Sequence, residues 1–195
     1  MIAAVILAAG QGRRLGQTKQ LLAWGPTTIL GQTIQQVQAS QVDEIVVVTG
    51  HDAAAVATIA SAHQVRTVHN PAHATGELLS SLQVGIKTLA ESVAAAIVIL
   101  ADQPFIPPAV INQLITAFQH RARQLIAPVY HGQRGNPVLI GRTLFPDLLA
   151  LPPLSAPRAL FQQHPEQVFL VEVETDTILL DIDRWEDYER LRPRI

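Results

Sequence analysis

The sequence predicts an α/β fold: a single domain spanning residues 1–195, built in three layers (α/β/α) around a doubly wound, mostly parallel sheet. Two patterns and one length predict it. Short, nearly unbroken apolar runs recur at "AAVILA" (3–8), "EIVVVTG" (44–50), "VRTVH" (65–69), "AAIVILA" (95–101) and "LIAPVY" (125–130), and such runs suit strands covered on both faces. Between them apolar residues return at helical spacing, which supplies the covering helices. The chain has 195 residues, 48% of them apolar, enough for one full core.

Taken in order, the first run opens the sheet. Leu30, Ile34 and Val37 then form a helix stripe behind Thr28, a suitable N-cap. Asp52 is placed to cap the helix after the second strand. Leu82, Ile86 and Leu89 follow the third strand. The pair Pro107-Pro108 opens the helix after the fourth, where proline's missing N–H costs nothing, and that helix carries Ile111, Leu114, Ile115 and Phe118. Beyond residue 130 the pattern is looser. "GNPVLI" (135–140), "VFLVEV" (168–173) and "ILLDID" (178–183) read as strands, and "RWEDYERL" (184–191) as a closing helix.

The net charge of −2 gives no general field for nucleic acid. No stretch reaches the roughly 18 unbroken apolar residues of a spanning helix, so neither partner is expected. The chain has no cysteine, which excludes disulfides, thiolate metal sites and a cysteine nucleophile. The apolar start carries its positive charges after the apolar stretch rather than before it, unlike a secretory signal, so a cytoplasmic location is expected.

The first run breaks into "AAGQGRRLGQTKQLL" (8–22). Gly10 and Gly12 are followed by Leu15 where a dinucleotide loop needs its third glycine, and no Gly-Lys-Ser/Thr triplet completes a Walker A loop. What remains is a loop whose glycines allow close backbone approach, whose N–H groups can surround an anion, and whose Arg14 and Lys19 add positive charge. A polyphosphate suits it. Asp102 in "VILADQPFI" ends the fourth strand, on the same sheet edge and next to the first strand in the usual order. A carboxylate beside phosphates calls for a cation between them, and Mg²⁺ is typically held by one or two carboxylates plus phosphate oxygens.

Asp181 and Asp183 alternate along the predicted last strand and so share a face, and either could complete that metal site. Asp183 could equally cap the helix that follows. In "NPAHATGELLSSLQVGI" (70–86), Gly76, Ser80, Ser81 and Gly85 would let a flat base approach, or simply let a helix pack closely. His69 and His73 lie four apart, but Asn70-Pro71 between them breaks the helix a metal pair would need, and no G-x-S-x-G elbow is present.

"LAAGQGRRLGQTKQLL" resembles the signature of nucleotidyltransferases with the glycosyltransferase-A-like fold. Together with "NPAHATGELLSSLQVG", "ILADQPFI", "APVYHGQRGNPVLI" and "LLDIDRWEDYERL", in that order over nearly the whole chain, it resembles the molybdenum cofactor cytidylyltransferases. The resemblance implies transfer of CMP from CTP to the molybdopterin cofactor with release of pyrophosphate, and a recipient molybdoenzyme. It implies that Ala8, Ala9, Gly10 and Gly12 meet the nucleotide phosphates, that Arg14 and Lys19 neutralise them, and that Gly76, Ser80 and Ser81 lie near the cytosine. Asp102 and Asp183 would hold Mg²⁺, and Arg134, Gly135, Asn136 and Pro137 would line the acceptor side. Three positions depart from the family: Leu15 replaces a usual methionine, Arg184-Trp185 a common Thr-Pro, and "PLSAPR" (153–158) a Gly-Asp-x-Gly-Ala-Arg stretch of which only Arg158 matches. GTP in place of CTP, a sugar phosphate acceptor, or a non-catalytic cofactor chaperone are the rival readings.

Overall fold

The computed structural model describes residues 1–12, 16–75, 78–153 and 155–193. Strand β1 (Ile2–Ala8), buried along its whole length, lies between two parallel neighbours, β4 (Glu44–Thr49) and β6 (Ala95–Leu100). The first and fourth predicted strands are thus adjacent, with Leu7 opposite Leu100. β5 (Arg66–His69) extends the sheet beyond β4. On the other side β9 (Val138–Gly141) runs antiparallel between β6 and β7 (Leu125–Tyr130), and β10 (Val168–Glu172) forms the far edge, parallel to β7. Short pieces complete the set: the hairpin β2 (Ala23–Trp24) and β3 (Thr27–Thr28), and β8 (Gln133–Arg134) paired to β7.

The period of two along β1 sorts its side chains between two helix layers. Ile2, Ala4 and Ile6 pack with α1 (Ile29–Gln38), α2 (Ala53–Ala62) and α4 (Pro108–His120) through Leu30, Ile34, Val37, Val56, Ile111 and Leu114. Val5 and Leu7 pack with α3 (Leu78–Lys87), α5 (Phe145–Ala150) and α6 (Ala159–Gln163) through Leu79, Leu82, Ile86, Leu148 and Leu160. Each such burial contributes about 1.5–3 kcal/mol. Gly85 serves this packing and not a ligand: a Cβ there would stand 2.5 Å from Val5 Cγ1.

Thr28 caps α1, its hydroxyl accepting the Gly31 N–H at 3.0 Å. Asp52 occupies the N-cap position of α2 but makes no side-chain cap; its backbone is left-handed (φ 51°) and its carboxylate accepts the Thr18 hydroxyl instead.

The strand expected over 178–183 does not form. Asp176–Leu179 is a 3-10 turn, and the backbone bonds of the segment go to loops: Ile178 O accepts Asn136 N–H at 3.0 Å and Ile182 N–H donates to Asp102 O at 3.3 Å. Fully buried Ile182 packs with Trp24, Ile29 and Tyr188 of the closing helix α7 (Trp185–Leu191). The shared face argued for Asp181 and Asp183 from strand alternation therefore has no basis.

Candidate functional site

The loop after β1 is fastened by its carbonyl groups. Leu7 O accepts Ala101 N–H at 3.2 Å and Ala9 O accepts His51 N–H at 3.2 Å. Ala8 O and Gly10 O both accept from the side-chain amide of Gln20, at 2.9 and 3.0 Å. Gln20 itself is buried in the 3-10 turn Lys19–Leu21. Gly12 has φ +62°, and a Cβ there would lie 2.3 Å from Gln17 O, so no other residue fits. Arg14, expected to neutralise phosphates, and Gly76, expected near a base, lie outside the described residues, as do Arg13 and Leu15.

The turn that carries Gln20 also aims Lys19. Its Nζ lies 2.5 Å from Asp102 Oδ2 and 2.9 Å from Asp183 Oδ1. Burial alone would lower the lysine's pKa, but the Asp102 charge beside it, with Asp183 behind, raises it above the ordinary value. Asp102 follows β6, and the bond from Ile182 N–H to its carbonyl holds the 180–183 segment, and with it Asp183, alongside. Asp183 does not occupy the helix cap: Arg184 does, and its N–H is taken by the Asp187 carboxylate at 3.1 Å. Partial burial, then the charges of Asp183 and Asp102, raise the pKa of Asp181.

Two carboxylate oxygens thus converge on one point that already holds a cationic group. Hard oxygen donors of this kind suit Mg²⁺ or Mn²⁺, with phosphate oxygens and waters completing the shell. Among the described residues no cluster of three or more His, Asp or Glu side chains is arranged to hold a metal by itself.

A cavity of about 230 Å³ is lined by Ala8, Ala9, Gly10, Lys19, Ser81 and Asp102, which the sequence pointed to, and by Gln20 and His73, which it did not. Gly12 and Ser80 do not border it. Ser80 and Ser81 both accept from the Asn70 amide, at 2.9 and 3.0 Å. His73 Nδ1 lies 3.0 Å from Asn70 O; a carbonyl only accepts, so Nδ1 carries a proton and donates. The signal for Gln20 was available in "TKQLL", a polar residue at the head of an apolar pair. His73 gave none.

Leu78 and Leu100 also border a second cavity of about 320 Å³. Its walls include Leu82, Val98, Val138 and Ile140, and Arg134 and Arg158 flank it. The Arg134 guanidinium lies 4.2 Å from the centre of the Phe161 ring. Gly135 and Asn136 border this cavity; Pro137, joined to Asn136 by a cis peptide, does not.

A loop whose carbonyls at Ala8 and Gly10 are held by Gln20, a lysine between two carboxylates and a second cavity beside them make up the candidate site. A sequence profile of the MobA-like NTP transferase domain matches residues 4–168. The chain belongs to this family. It is a nucleotidyltransferase, with a nucleotide as substrate. Within the family it is similar to the molybdenum cofactor cytidylyltransferase of Escherichia coli K12, 26% identical over 97% of this chain and 95% of that protein. It is also 27% identical to the nicotine blue oxidoreductase of Paenarthrobacter nicotinovorans, over 97% and 96% of the two chains. The crystal structure of Rv0371c from Mycobacterium tuberculosis H37Rv superposes with a TM-score of 0.84 at 29% identity, covering 97% of this chain and 96% of the other. A manganese complex of Rv0371c gives 0.76 at 26%, covering 98% and 97%. The mostly parallel α/β architecture read from the sequence is the fold of this family. No helix among the described residues is long and apolar enough to cross a membrane.

Proposed function

We propose that the 195 residues act as one catalytic domain, in the cytoplasm, that transfers CMP from CTP to the terminal phosphate of the molybdopterin cofactor for delivery to a recipient molybdoenzyme. The observation that carries this reading is the meeting of Lys19, Asp102 and Asp183 beside a loop whose carbonyls turn to protein donors, with an arginine-flanked apolar cavity adjoining. The similarity to the E. coli cytidylyltransferase supports the choice of CTP and of the acceptor.

The chemistry is in-line displacement: an acceptor phosphate oxygen bonds to the α-phosphorus while the bond to the bridging oxygen breaks and pyrophosphate leaves. A phosphate dianion is already nucleophilic, so the chain supplies alignment and charge and no general base. Amides of residues 8–12, with Arg14, receive the triphosphate. Lys19 leaves the carboxylates and takes up charge on the departing pyrophosphate. Asp102 and Asp183 hold the divalent ion, Mg²⁺, which when bound neutralises phosphate oxygens. Ser81 is the first candidate to meet the base, and Gly76 and Ser80 are the next in order of preference. Arg134 and Arg158 pair with the acceptor phosphate, while Gly135 and Asn136 shape that side. The apolar walls formed by Leu82, Val98, Val138 and Ile140 suit a flat ring better than a sugar, whose hydroxyls they would leave unpaired.

Pyrophosphate measured with each nucleoside triphosphate, Mg²⁺ and molybdenum cofactor tests the reading. Release with CTP alone is the expected result. Release with GTP, or with a sugar phosphate acceptor, moves the protein to another member of the same fold. Binding of the cofactor without any release makes it a chaperone.

A further inference from the structure

We propose that Gln20 is the positioning residue that gives the loop after β1 its anion-binding polarity; the inference rests on the nucleotidyltransferase reading above and assigns a part of it to a side chain outside the charged set. Gln20 is only 3% exposed, yet its amide nitrogen donates to two carbonyls two residues apart, Ala8 O at 2.9 Å and Gly10 O at 3.0 Å. The intervening Ala9 O and the preceding Leu7 O are taken by backbone N–H groups of His51 and Ala101. Four successive carbonyls, 7 to 10, are therefore bound by donors of the protein, and half of that fastening depends on one side chain.

The consequence is electrostatic. A carbonyl oxygen turned toward a polyphosphate repels it, and an amide N–H attracts it. In a glycine-containing loop each peptide plane can rotate at small cost. Only an external donor decides which end faces the cavity. Gln20 also immediately follows Lys19, so one 3-10 turn sets both the polarity of the loop and the position of the cation that the phosphates meet. A carboxylate at position 20 would repel the same two carbonyls, and an aliphatic side chain would leave them without their donor.

The experiment compares wild type, Gln20→Leu and Gln20→Glu in calorimetric titrations with CTP and with cytidine, alongside KM and kcat from pyrophosphate release. The inference predicts that Gln20→Leu loses CTP affinity by about tenfold, the scale of one unmet buried hydrogen bond, while cytidine affinity stays within about twofold. Gln20→Glu loses more. KM for CTP rises with kcat at saturation little changed. A residue that merely supports the fold would lower the melting temperature and the active fraction without altering the ratio of CTP to cytidine affinity. An unchanged ratio in folded Gln20→Leu, as judged by near-ultraviolet circular dichroism, overturns the inference and leaves the function standing. If that variant does not fold, Gln20→Glu, of nearly identical shape, decides by the same ratio. Failure of wild type to bind any triphosphate overturns both.

Discussion

Lys19 Nζ sits 2.5 Å from Asp102 Oδ2 and 2.9 Å from Asp183 Oδ1, so the ammonium stands between the two carboxylates proposed to hold the metal ion. On that reading the two cations would compete for one position. Replacing the lysine with neutral methionine removes the competitor, so Lys19→Met binds Mn²⁺ without nucleotide more tightly than wild type, by at least about tenfold. Electron paramagnetic resonance of free Mn²⁺ measures this. The same variant binds CTP more weakly and cytidine as before. Equal Mn²⁺ affinity in the two proteins would show that the lysine does not guard the site.

Asp102 makes the shorter of the two contacts and adjoins β6, directly across from the loop after β1. Asp102→Asn keeps the shape of the side chain and discards its charge. Turnover falls by about a hundredfold or more, as for loss of a key electrostatic stabiliser, while the far-ultraviolet spectrum is unchanged. Turnover within a few-fold of wild type would remove Asp102 from the reaction.

Asp181 shows the opposite behaviour, because its neighbours Asp183 and Asp102 carry the same charge. Burial and those charges raise its folded pKa above the unfolded value. A group of this sign favours the folded state most below its unfolded pKa, and the contribution is lost as pH rises through the folded pKa. At neutral pH the charged form is a cost. Asp181→Asn therefore melts higher than wild type at pH 7, and the gain disappears once the pH falls below the carboxylate range. A gain that persists in acid would require a cause other than charge.

How much of this was legible in the sequence depended on what each residue answers to. The strands around β1 were readable because burial on both faces demands unbroken apolar runs, and Asp102 was readable because it ends one of them. The segment 178–183 misled for the same reason: "ILLDID" alternates like a strand, but its backbone bonds go to Asn136 and to Asp102, partners far away in sequence. Asp183 reached the site nonetheless, carried by the burial of Ile182 against Trp24 and Tyr188. His73 was invisible because its place in the cavity depends on the loop held by Asn70, and nothing in the spacing of histidines reports that.

Gly85 was ambiguous between a base-binding and a packing role, and it yields a stability test. A Cβ at this position would meet Val5 Cγ1 at 2.5 Å and Val48 Cγ2 at 3.0 Å, on the adjacent strands β1 and β4. Gly85→Ala gains helix propensity but forces α3 off the sheet, and overpacking costs about 1–3 kcal/mol. The variant melts lower than wild type, while its KM for CTP is unchanged. A melting temperature at or above the wild-type value would mean that α3 shifts freely.

On the proposed function the acceptor side separates from the nucleotide side, because Arg134 borders the second cavity and not the first. Its guanidinium is held over the Phe161 ring at 4.2 Å, a contact worth about 0.5–1 kcal/mol at an exposed site. The stacking holds the guanidinium plane against the ring, and on the proposed function its donors would serve the acceptor phosphate. Arg134→Ala therefore raises KM for the cofactor by about tenfold, the scale of one charge-assisted hydrogen bond, and leaves KM for CTP alone. Arg134→Lys restores the charge but not the planar fork, so it recovers only part of the loss. Phe161→Leu removes the platform and keeps the arginine, and it lies between wild type and Arg134→Ala. Steady-state kinetics with each substrate varied in turn distinguishes these cases, and a rise in the CTP KM for Arg134→Ala would merge the two cavities into one site.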